Sequence, residues 1–111
     1  MDTIRRNGGA SYSLTYGDMA GRDGYAVSCY KPRERSVMAL DLDATEVQDY
    51  ILENSDLLAE KENFLGVWLN KGMYILDVTT FEKSKVKAIA LAKANDQEAI
   101  FKLDTLETLY V

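Results

Sequence analysis

Glu46, Asp49, Glu53, Asp56 and Glu60 recur at spacings of three and four residues, which lines their carboxylates along one side of any helix that carries them. Such a stripe offers three kinds of chemistry: paired carboxyls for acid–base catalysis, oxygen ligands for a hard cation, or a docking face for a basic partner. A cation site of the familiar loop type needs acids alternating through a glycine-containing turn, and no D-x-D-x-D-G run exists here. Catalysis by a carboxyl pair rests on nothing beyond the number of acids. Docking is the functional reading that remains, with Glu46, Asp49, Glu53, Asp56 and Glu60 as the partner-binding residues. A solubilising face, with acids favourable in its first turn, is the competing structural account.

The charge distribution sharpens this reading. Residues 41–62 hold eight acids against Lys61 alone, whereas residues 1–40 hold six Lys or Arg against four acids. The net charge of -5 therefore originates in one segment. Direct nucleic-acid binding through it is opposed by phosphate repulsion, while a protein that itself binds nucleic acid would be attracted.

Other reactive groups are few. The chain has no histidine, so imidazole general bases, imidazole metal ligands and every histidine-dependent triad are excluded. Its one cysteine, Cys29, lies close to Val27 and Tyr30 and reads as a buried strand residue; alone it forms neither an internal disulfide nor a thiolate metal cage. Gly17, Gly21 and Gly24 match no phosphate-loop spacing and precede a strand rather than a helix. Trp68 and the tyrosines suggest base stacking only if a basic groove accompanies them, and the cluster Lys31, Arg33, Arg35 is too short to supply one. No cofactor and no metal is expected, and the chain is read as non-enzymatic.

The elements that position these groups follow from periodicity. Residues 1–23 contain four of the seven glycines and read as a flexible segment with one short strand over 11–16. The runs 24–30 and 35–40, separated by Pro32, read as a hairpin. Asp43 with Glu46 three residues on predicts a capped helix start, and Val47, Tyr50, Ile51, Leu57 and Leu58 form its apolar face. Residues 63–69 and 73–78 flank Asn70-Lys71-Gly72 as a second hairpin, and Ser84 caps a helix with a small-residue face, Ala88, Leu91, Ala92 and Asn95. Residues 99–103 and 108–111 close the chain as a third strand pair. The expected fold is α+β over 24–111: a mainly antiparallel sheet of about six strands with two helices on one face, in the order ββαββαββ.

Three stretches, Asn63-Phe64-Leu65-Gly66-Val67-Trp68, Tyr74-Ile75-Leu76-Asp77-Val78-Thr79 and Asn95-Asp96-Gln97-Glu98-Ala99-Ile100-Phe101, resemble a group of small uncharacterised bacterial proteins that travel with phages and conjugative elements. The resemblance covers about residues 24–111 and implies no active site. It implies a setting in which small acidic domains act as anti-defence factors, such as anti-CRISPR-like inhibitors that occupy a surface of a larger protein. The alternative is a homo-oligomerisation domain pairing through the edge strand 108–111. A second alternative is a small enzyme that shows a deep pocket of carboxylates with perturbed acidity. With one cysteine and no long apolar run, the chain reads as cytoplasmic, without a membrane partner.

Overall fold

The computed structural model describes residues 9–111. Among these residues eight strands form one antiparallel sheet: β1 (Gly9–Ser13), β2 (Gly17–Asp18), β3 (Tyr25–Ser28), β4 (Arg35–Met38), β5 (Asn63–Asn70), β6 (Met73–Glu82), β7 (Ala99–Lys102) and β8 (Glu107–Tyr110). Three helices interrupt them: α1 (Ala44–Glu53), α2 (Ser55–Leu58) and α3 (Lys85–Ala94). The spatial order is β2-β1-β5-β6-β3-β7-β8, with β4 also on β6. The α+β class and the mainly antiparallel sheet agree with the sequence reading, whereas the strand number rises from about six to eight and the helices from two to three.

The β5–β6 hairpin is the spine. Its eight pairs run from Asn63↔Thr80 to Asn70↔Met73. The two-residue turn places Lys71 at φ 51° and Gly72 at φ 79°, the double left-handed conformation whose twist matches the flanking strands. Alternation then sorts side chains between the two faces. Leu65 and Val67 of β5, with Tyr74, Leu76 and Val78 of β6, share one face and pack under α1 and α2 with Leu42, Tyr50 and Leu58. Leu76 and Val78 are fully buried, and each such side chain contributes about 1.5–3 kcal/mol of transfer free energy.

The hairpin expected over residues 24–40 does not form. β3 and β4 pair with β6 instead of with each other, β3 through Tyr25↔Glu82 to Ser28↔Thr79 and β4 through Arg35↔Leu76 to Met38↔Met73. They are two halves of one line of pairing along β6. Residues 29–34 leave that line opposite Asp77 and Val78, passing through a 3-10 turn, Lys31–Arg33, that Pro32 initiates. β6 spans ten residues and so has length enough for both partners.

The first helix is shorter than its apolar pattern. Asp43 caps it, its carboxylate accepting the Glu46 amide at 2.9 Å. Glu46 does not complete a capping box; its carboxylate lies 3.7 Å from Arg35 instead. Asn54 ends the helix by turning its side-chain amide back onto the Tyr50 carbonyl at 2.9 Å, and α2 follows as a separate turn. In α3, Ser84 accepts the Lys87 amide, and Ala88 and Ala92, both without exposed surface, let the helix approach Val27 and Ile100 closely. α3 lies on the same sheet face as α1, because Val27 pairs with Thr80, two residues beyond Val78.

Residues 1–8 of the segment expected to be flexible lie outside the described residues. Within residues 9–23 the expected short strand runs earlier than 11–16, as β1, which pairs with β5 from Gly9↔Trp68 to Tyr12↔Leu65, and Met19 is buried against Ala26, Phe64 and Leu103. No helix among the described residues is long and apolar enough to cross a membrane.

Candidate ligand groove on the open sheet face

The face of the sheet opposite the helices holds Phe64, Gly66 and Trp68 of β5, Asp77, Thr79 and Phe81 of β6, Ala26 and Ser28 of β3, and Phe101 of β7, as their cross-strand pairing requires. At one end Met19, Ala26, Phe64 and Leu103 close it with an apolar cluster. Beyond that cluster the sheet curls around a concavity of about 880 Å³, lined by Trp68, Phe101 and Tyr110 on its walls and by Ser28, Gly66 and Thr79 on its floor. The volume falls within the range of about 300–1,000 Å³ typical of small-molecule sites.

The floor is built around Asp77, which is 2% exposed. Ser28 Oγ donates to Asp77 Oδ2 at 2.6 Å, and Thr79 Oγ1 donates to Asp77 Oδ1 at 2.7 Å. The carboxyl lies across the strand onto Gly66, its register partner; a Cβ at position 66 would stand 2.5 Å from Asp77 Oδ1 and 2.6 Å from Thr79 Oγ1. Glycine is therefore required for a close approach rather than for a turn. Burial pushes the Asp77 carboxyl up from its ordinary 3.8 to about 6; the two hydroxyl donors pull it down and the Glu34 charge raises it. The neighbouring Cys29 thiol is also raised, first by burial, against a hydrogen bond with Thr80 and together with the Asp77 charge.

The acidic stripe lies elsewhere: Glu46, Asp49 and Glu53 on α1, Asp56 on α2 and Glu60 in the bend that follows α2. Two members of the cluster Lys31, Arg33, Arg35 supply its counterions: Arg33 forms a two-pronged pair with Asp56 at 3.0 and 3.1 Å and also donates to Asn54 Oδ1 at 3.0 Å. Arg35 pairs with Glu53 and Glu46 while lying 5.5 Å from the centre of the Tyr50 ring. Glu60 accepts from Asn63 Nδ2 at 2.9 Å. Asp49 is exposed, and no ion pair among the described residues involves it. Between the Pro32 turn and α1 this arrangement leaves a shallow cleft that includes Arg33, Arg35, Tyr50, Glu53 and Asp56. Arg33 holds the Asp56 carboxyl below its ordinary value through their hydrogen bonds. Tyr50, 1% exposed, donates its hydroxyl to the Arg33 carbonyl at 2.7 Å, and burial followed by the Asp77 charge raises its phenol.

Four of the five sequence-predicted residues are thus engaged by the chain's own side chains, Glu46, Glu53 and Asp56 through Arg33 and Arg35 and Glu60 through Asn63. Sequence reasoning missed the groove. Two signals pointed to it: Asp77 is a lone acid in the apolar run 73–78, and Gly66 is a lone glycine inside a strand. No cluster of three or more His, Cys, Asp or Glu suited to a metal ion occurs among the described residues. Compared with protein-family models, curated proteins and solved structures, the chain matches none.

Proposed function

We propose that this chain is a binding module whose ligand is a small molecule seated in the concave sheet face. The observation that carries the reading is the combination, within one concavity of about 880 Å³, of aromatic walls and a hydrogen-bonded polar floor. Aromatic surface supplies affinity, and a few fixed polar groups supply orientation. A single buried carboxyl differs from the paired carboxyls of perturbed acidity that an acid–base enzyme would present, so binding without turnover accounts for it more simply.

Trp68 makes the reading testable, because it is the only tryptophan in the chain and stands on the groove wall. A panel of drug-fragment-sized aromatic and heteroaromatic compounds, screened by Trp68 emission, should contain saturable quenchers whose effect disappears when Gly66→Leu fills the floor. Quenching that never saturates, or that survives in a folded Gly66→Leu variant, sinks the proposal.

A second reading keeps the acidic stripe as a docking face for a larger basic protein, one that itself binds nucleic acid, in the mobile-element setting that the resemblance implies. It is favoured by the exposure that persists within the ion pairs: the Glu46, Glu53 and Asp56 side chains remain 42%, 57% and 60% exposed. Reversing Asp49, Glu53 and Asp56 to lysine abolishes capture of such a partner if this reading holds and leaves capture intact if it does not.

A further inference from the structure

The hydrogen-bond directions on the groove floor decide which ligands it accepts. Ser28 and Thr79 each have one hydroxyl proton, and each spends it on Asp77. What both hydroxyls can present toward the groove is therefore lone pairs. With Asp77 ionised, the floor is an acceptor-only surface that a carbonyl or carboxylate of a ligand cannot satisfy. The rim has the same sign: Asp18, Glu34, Asp96 and Glu98 line the concavity against Lys31, the one basic residue of the lining among the described residues. The walls are Trp68, Phe101 and Tyr110, whose ring faces attract cations within reach.

Resting on the small-molecule reading above, we infer that the groove selects an organic ammonium ion with an apolar body, its N–H groups on the Ser28 and Thr79 hydroxyl oxygens and its body along the aromatic lining of the concavity. The acid-rich rim attracts such a cation, Asp77 supports it through the two hydroxyls, and the aromatic walls cover its apolar part. An anionic ligand of the same shape meets lone pairs on the floor and, among the described residues, like charge at each charged side chain of the lining except Lys31.

A matched set separates this inference from the reading beneath it. Phenethylamine, 2-phenylethanol and 3-phenylpropionate share one aromatic body and differ in head group. Titrated against the full chain at pH 7.5, with Trp68 emission and amide chemical shifts as readouts, the amine should bind at least about tenfold more tightly than the alcohol, and the acid more weakly still. Asp77→Asn should bring the amine down toward the alcohol, and Glu34→Gln, on the rim, should weaken the amine alone by a smaller factor. Equal binding of amine and alcohol at the groove amides overturns the ammonium inference and leaves the small-molecule reading standing. Shifts confined to residues outside the groove, or no shift with any of the three compounds at millimolar concentration, overturn both.

Discussion

Replacing Asp77 with asparagine should stabilise the domain at neutral pH and leave it nearly unchanged in acid. In the folded chain the carboxyl titrates at about 6, chiefly because it is buried, against 3.8 ordinarily. Below pH 3.8 both folded and unfolded chains hold the proton, and burial carries no charge penalty. Between 3.8 and about 6 the folded chain keeps a proton that the unfolded chain has released, so stability falls as pH rises through this window. Above it the full penalty is present; at about 1.36 kcal/mol per pH unit it amounts to ~3 kcal/mol. Asparagine is neutral throughout. Its oxygen accepts from one hydroxyl and its amide donates to the other, so the Ser28–Thr79 bridge survives once one hydroxyl rotates. Urea denaturation of both proteins from pH 4 to pH 8 should show the stability difference growing from near zero to roughly 2–3 kcal/mol in favour of asparagine. A difference that stays flat across that range would refute the reasoning, since it would mean that position 77 carries no proton linked to folding.

Gly66→Ala puts a methyl against Asp77 Oδ1 and Thr79 Oγ1 and should cost about 1–3 kcal/mol in the same denaturation assay; in the Asp77→Ala background the cost should shrink, which a double-mutant cycle reads directly. Arg35→Ala removes the ion pairs with Glu46 and Glu53 and the contact with the Tyr50 ring; the ion pairs are solvent-exposed, so the loss should stay near or below about 1 kcal/mol and diminish further in 1 M salt, checked by paired melts. Cys29, half-buried and with its thiol raised, should react with a disulfide reagent at pH 7.5 far more slowly in the native protein than in urea, as thiolate release over time will show.

Local signals in the sequence were read well where neighbours in the chain are neighbours in space. The Asp43 and Ser84 caps, the Lys71-Gly72 turn and the alanine face of α3 all depend on residues within a few positions of one another. The β3–β4 hairpin failed because Pro32 gives a local turn, whereas the competing partner, β6, lies more than thirty residues downstream. Its ten-residue length is visible only when Thr79 to Glu82 are known to continue the strand, and those residues are polar enough to resemble a loop. The acidic stripe illustrates the same limit: its spacing was legible, but the arginines that neutralise it lie 11 to 23 positions earlier in the chain. The groove floor joins Ser28 to Asp77 across 49 positions, and only register places Gly66 beneath that carboxyl.

An amide-resolved titration of the isotope-labelled chain with a saturable quencher of Trp68 is the most direct test of where this protein binds. The concave-face account predicts shifts concentrated at Ser28, Gly66 to Trp68, Thr79 and Ala99 to Phe101. Shifts concentrated instead on α1 and the Lys31–Arg33 turn, with the sheet amides unmoved, would contradict it.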